Sequence, residues 1–256
     1  MAGTLINVIA VIVGSGIGLL VGHRLTEKIQ DSVVGALGLV VLTIGMQNAF
    51  KSGNIIIPLL SLAFGAIIGE LLDIDDAFKR LGGWIQTRAA GTLSQEDTTA
   101  QGRARFINAF VTASLVFVIG PLAILGPIQN GINAGDIQLL VIKSILDFFA
   151  AMAFAASLGI GVMFSALPVF VYQVLFAVIG MIFAGMLTSS PGGQTAIGAT
   201  NPYILELTAT GGLILLGLGF ILLNIKQLRV ANYLPALLIA PLLVLLVQVV
   251  GLNIPL

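Results

Sequence analysis

Lys143 and Asp147 stand four residues apart inside an apolar run, LLVIKSILDFF, residues 139–149. On a helix this spacing places both on one face, close enough to pair. Asp136, seven residues before Lys143, extends the stripe, and Ser144 adds a hydroxyl beside it. Lys143 lies about 10 Å along a helix from Asp136 at 1.5 Å per residue, so the inner charges sit near the middle of such a run. An isolated charge in an apolar bilayer costs about 2.5–3.5 kcal/mol on insertion scales. Two chemistries suit such a pair. One is a self-neutralised clasp between helices. The other is an ion or proton site, the usual role of ionisable residues at membrane depth.

The flanking segments add polar groups and helix breakers. Before the pair, VIGPLAILGPIQNG carries Gly120-Pro121 and Gly126-Pro127, followed by Gln129 and Asn130. Each Gly-Pro is expected to interrupt a helix, and broken helices expose carbonyls that hold ions and solutes in transporters. After the pair, SLGIGVMFSALPVFVYQ reads as a tight or re-entrant turn that leads to Tyr172 and Gln173. The uncharged polar residues Asn7, Gln47, Asn48, Asn108, Thr112 and Ser114 fall in other apolar runs. Singly, each reads as a helix-to-helix hydrogen bond. The candidate pathway is therefore Lys143, Asp147, Asp136, Ser144, Gly120, Pro121, Gly126, Pro127, Gln129, Asn130 and Gln173. Glu206 is a weaker candidate. Glu70, with Asp73, Asp75 and Asp76 behind it, reads as interfacial.

The elements that position these residues follow from composition. The chain of 256 residues is 58% hydrophobic and 9% charged, with a mean hydropathy of +1.11. A soluble domain is about 25% charged. The expected class is an all-α polytopic membrane protein forming one transmembrane domain, residues 1–256. Eight segments approach the roughly 20 apolar residues of a span: 3–22, 33–50, 54–72, 106–127, 137–157, 166–187, 203–223 and 232–250. The first reads as a retained span, because its positive residue Arg24 follows the apolar stretch. Residues 73–105 form the long polar loop, with a short amphipathic helix around Phe78 to Ile85 and Trp84 at headgroup level.

Nine of the eleven Lys and Arg fall on one side of the eight spans. They are Arg24, Lys28, Lys79, Arg80, Arg88, Arg103, Arg105, Lys226 and Arg229, against Lys51 alone on the other side. The positive-inside rule makes that side cytoplasmic and places both termini outside the cytoplasm. A bacterial cytoplasmic (inner) membrane is the expected location.

A repeat is weakly visible. GLVVLTIG (38–45) matches GLILLGLG (212–219), and NIIIPLLSLA (54–63) matches ANYLPALLIA (231–240). Spans 1–3 and 6–8 would be copies of opposite orientation, around a broken span 4 and a charged span 5. Inverted repeats are common in secondary transporters. Compositional likeness of Gly/Leu-rich spans is the other explanation. Gly14, Gly18 and Gly22 form a small-residue face that suits a close contact, internal or in a homodimer.

Several classes are excluded or disfavoured. Net charge is zero, which argues against a nucleic-acid partner. Cysteine is absent, so no thiolate metal site exists, and the single histidine, His23, sits at a helix end. No G-x-S-x-G, H-E-x-x-H or P-loop occurs, so neither an enzyme nor an ATP-driven pump is expected. No cofactor is expected, and the partners are the lipid bilayer and a transported ion or small solute.

The blocks GMQNAFKSGN with AFGAIIGE, GPLAILGPIQNGINAGD, and KSILDFFAAMAFAASLGIGVMFSALPVFVYQ resemble the YqgA-like family of uncharacterised bacterial membrane proteins, over nearly the whole chain. The family pattern often has Gly after the Asp of the last block, where this chain has Phe148. The resemblance implies ion transport, as a sodium channel or pump, without an established substrate or transferable site residues. The leading expectation is a secondary transporter with a polar core around span 5. A passive channel and a non-transporting scaffold or partner subunit are the alternatives.

Overall fold

A computed structural model describes residues 2–89, 99–182 and 201–250, and all regular structure among them is helical. In chain order the helices are α1 (Ala2–Gly22), α2 (Glu27–Ala49), α3 (Ile56–Leu71), α4 (Ile74–Ala89), α5 (Ala100–Val118) and α6 (Pro121–Ile132). They continue with α7 (Gln138–Leu158), α8 (Gly161–Phe164), α9 (Ala166–Ile182) and α10 (Pro202–Leu222). A 3-10 turn over Val230–Tyr233 then leads to α11 (Ala236–Val250). Six helical segments are long and apolar enough to cross a membrane. The number rises to eight if the bent pairs α3–α4 (54°) and α5–α6 (61°) each make one crossing. Much of the expected loop 188–202 lies outside the described residues.

The chain forms two compact units. The first holds α1, the start of α2, and α4 to α9, apart from Ile74, Asp75 and Ile119–Pro121. Its central pair is α1 on α7. A side chain at Gly14, Gly18 or Gly22 would bring its Cβ onto the carbonyls of Phe148, Met152 and Ala156, at 2.4, 2.2 and 2.6 Å. Only hydrogen fits there, so the two backbones lie against each other. The contacts advance together one turn at a time, so α1 and α7 are parallel. This uses the glycine face inside the chain. Arg105 ties the ends of the pair. Its guanidinium donates to the Ser157 and Leu158 carbonyls (3.1 and 3.3 Å) and to Gln30 Oε1 (2.9 Å). Gln30 Nε2 in turn donates to the Gly22 carbonyl at 3.2 Å. A cation at two helix C-termini also complements their dipoles.

The second unit holds the rest of α2, together with α3, α10 and α11. Gly45 lies on the Gly212 carbonyl (2.9 Å to a built Cβ), and Gly219 lies near the Gly38 carbonyl (3.3 Å). Helices α2 and α10 therefore run antiparallel. The matched stretches 38–45 and 212–219 face each other reciprocally, first position against last. Helix α3 packs on α11 in the same antiparallel sense, with Gly65 against Ala236 and Gly69 under the Asn232 carbonyl.

Direction constrains the crossings. Parallel α1 and α7 require an odd number of crossings between them. Helix α2 supplies one, so the two bent pairs either both cross or neither does.

Two expectations are corrected, and of the two turn types open for the stretch after α7 one is found. Only the first Gly-Pro breaks its helix: Gly120 adopts φ +154° and α5 ends before it. Pro127 sits inside an unbroken α6, which therefore forgoes the one hydrogen bond a proline cannot donate. The stretch after α7 is a tight turn, because Gly159 at φ +97° caps the helix and α8 starts two residues later. The polar segment 73–105 holds a sixteen-residue α4 and the first turn of α5, with residues 90–98 outside the described set.

Candidate functional site

The close approach of α1 and α7 builds the site in the first unit. Asn7 is a short side chain, and it reaches Asp147 because glycines on the same helix let the backbones touch. Its Nδ2 donates to Asp147 Oδ2 at 3.0 Å. Lys143 Nζ donates to the same oxygen at 2.5 Å. All three residues are buried, with Lys143 5% and Asp147 7% exposed. The charges cancel within one turn of α7, and the pair presents a neutral, strongly polar surface inside an apolar helix.

In the same unit lie buried polar atoms with no hydrogen-bond partner among the described residues. They are Thr4 Oγ1, Asn7 Oδ1 and Ser15 Oγ on α1, and both amide atoms of Gln173 on α9. Thr4 and Asn7 share a face of α1, which packs on both α7 and α9. Gln173 is 1% exposed. It lies on the face of α9 that carries Ala177 and Gly180, which press on Gly131 and the Ile128 carbonyl of α6. Buried polar groups are normally paired, so these atoms have unused capacity to donate to or accept from a polar guest.

The other expected residues divide. Ser144 is buried and bonds back to the Leu140 carbonyl at 2.6 Å. Gly126 lies on Leu140 and seats α6 against α7. Asn130 is buried and donates to the Ala134 carbonyl at 3.0 Å and the Asp136 carbonyl at 3.4 Å, closing the α6–α7 turn. Gln129 is half-buried beside it. Asp136 departs from expectation. It precedes α7, which starts at Gln138, so the charged stripe consists of Lys143 and Asp147. Gly120 and Pro121 belong to the second unit.

The second unit has a carboxylate centre of its own. Glu206, 1% exposed, accepts from the main-chain N–H of Gly53 (2.8 Å) and Asn54 (3.0 Å) on one oxygen. The Ser52 hydroxyl donates to the other at 2.8 Å. Here a single acid organises the α2–α3 turn. Glu70 pairs with Arg229 at 2.7 Å and accepts from Asn232 Nδ2 at 2.5 Å. Asn232 Oδ1 also accepts from the Asp75 N–H at 2.7 Å. The sequence shows neither the partner of Asn7 nor those of Glu206, because these contacts join residues more than a hundred positions apart.

An all-helical chain with six to eight candidate crossings and buried charges within them is a multi-spanning membrane protein. The chain belongs to the family described as "Protein of unknown function (DUF554)", which matches residues 2–245. It is 32% identical to "Uncharacterized protein YqgA" of Escherichia coli (strain K12), over 93% of this chain and 94% of that protein. It is 27% identical to "Uncharacterized membrane protein YdfK" of Bacillus subtilis (strain 168), over 99% and 100% of the two. No solved structure matches the chain.

Proposed function

We propose that the protein is a secondary transporter that moves an ion or small solute through the polar core around α7. The observation that carries this reading is the buried Lys143–Asp147–Asn7 cluster, together with the unpartnered polar atoms of Thr4, Asn7 and Gln173 in the same unit. A clasp that served stability alone would satisfy its own polar atoms, because each unpaired buried group is costly. The reciprocal glycine contacts of α2 and α10 support the same reading, since inverted repeats underlie many alternating-access transporters. The proposed setting is the inner membrane, with both termini outside the cytoplasm.

The test is flux in proteoliposomes across Na⁺, K⁺, H⁺ and small organic acids, for the wild type, Asp147→Asn, Lys143→Met and the double variant. Saturable, gradient-coupled flux is expected in the wild type and is lost in all three variants. Ohmic current would make the protein a passive channel, and no flux with any species would leave a scaffold. A reporter fused at Leu256 and active only in the cytoplasm would overturn the orientation.

A further inference from the structure

Helix α4 carries a second feature, away from the α7 core and independent of the transport reading. Asp76, Lys79, Arg80 and Gly83 on α4 face Arg103 and Ile107 on α5 across a cleft of about 500 Å³. Lys79 pairs with Asp76 at 3.7 Å. Among the described residues no carboxylate or carbonyl pairs with the guanidinium of Arg80 or Arg103. The cleft is therefore net positive, with two forked donors for an oxyanion.

The cleft depends on a glycine. Gly83 lies inside a helix, where glycine weakens the element, and a Cβ there would stand 3.2 Å from Arg103 Nη2 and 3.6 Å from Ile107 Cδ1. Any larger side chain would fill the floor of the cleft. Below it, Ile85 packs with Phe106 and Phe110 and holds α4 on α5.

The adjoining stripe of α4 is apolar and outward-facing. Leu81 and Trp84 are exposed, at 37% and 56%, and the Arg88 guanidinium lies 5.4 Å from the Trp84 ring centre. An amphipathic helix with an exposed Trp and flanking cations belongs in the headgroup layer. The helix also follows α3, an apolar helix, after two residues.

We propose that this cleft binds the phosphate headgroup of an anionic phospholipid, with Arg80 and Arg103 as its ligands and Leu81 and Trp84 resting on the acyl boundary. A soluble phosphate would use the same guanidinium groups but would gain nothing from the apolar stripe. Basic pockets beside spanning helices are a recognised way to hold anionic headgroups.

The experiment uses the full chain in zwitterionic detergent, titrated with short-chain phosphatidylglycerol, short-chain phosphatidylcholine or inorganic phosphate. Retained lipid is read by native mass spectrometry and the unfolding midpoint by thermal scan. Phosphatidylglycerol should bind in preference to phosphatidylcholine, weaken as salt is raised, and resist displacement by inorganic phosphate. Arg80→Gln and Arg103→Gln should each weaken it about fivefold. Gly83→Leu should weaken it with every charge retained. Equal binding of the two lipids, salt-independent binding, or full affinity in the two arginine variants would overturn the proposal. Displacement by inorganic phosphate would reassign the cleft to a soluble anion and overturn it as well.

Discussion

Asp147 and Glu206 are two answers to the same problem, a carboxylate buried in an apolar helix. Glu206 spreads its acceptors over both oxygens, to two main-chain N–H groups and one hydroxyl of a tight turn. Those N–H groups are fixed by the backbone, so the turn and the acid hold one arrangement. Asp147 gathers an ammonium and an amide on one oxygen, and both donors are side chains that can rotate. Asn7 Oδ1 at this site is left without a partner among the described residues, as is Thr210 Oγ1 one turn from Glu206, so the contrast lies in the mobility of the donors. The first arrangement suits architecture. The second suits a site whose partners can be exchanged.

The largest effect that would break this contrast is at the ion pair. Asp147→Asn or Lys143→Met strands a buried charge and should cost about 3–5 kcal/mol where the pair is dry. The double variant removes both charges and should recover much of that loss. Thermal unfolding in detergent beside flux in liposomes separates the roles. If the double variant regains full flux, Asp147 is as architectural as Glu206.

Glu206→Gln comes next. It replaces one acceptor oxygen with an amide that faces donors, and should cost about 2–3 kcal/mol. Flux per folded molecule should be unchanged. A loss of flux at unchanged stability would move Glu206 into the pathway and erase the distinction.

Gly18→Ala sharpens the geometry. Its Cβ would meet the Met152 carbonyl at 2.2 Å, and backbone cannot step aside as a side chain can. Separation of α1 from α7 should cost about 1–3 kcal/mol, as overpacking does. The Asn7 bond to Asp147 should lengthen and flux should fall more than stability. Gly16→Ala, where the nearest contact is the flexible end of Met163 at 3.7 Å, is the matched control and should be near neutral in both assays.

Ser52→Ala is the smallest. One hydroxyl donor is lost while two N–H groups still hold Glu206, so about 1 kcal/mol is expected. A cost as large as that of Glu206→Gln would mean that the hydroxyl, and not the backbone, fixes the turn.

The sequence by itself determined the class and the pair. So few charges over so many apolar residues leave only a helical membrane protein. Spacing along one helix is a local property, so Lys143 and Asp147 were legible as partners without any tertiary information. The break at Gly120-Pro121 was legible for the same reason: backbone chemistry acts within a few residues. The matching break expected at Gly126-Pro127 is absent, because packing such as that of Gly126 on Leu140 can hold a helix through the one hydrogen bond a proline removes. The stripe to Asp136 was misread because the end of α7 is set by the turn that Asn130 closes.

Tertiary structure alone decided which residues meet across the chain. Asn7 finds Asp147, and Ser52 finds Glu206, over separations of 140 and 154 residues. No periodicity encodes such a meeting. It depends on how closely two helices approach, and that distance is set where glycines at 14, 18 and 22 let one backbone lie on another.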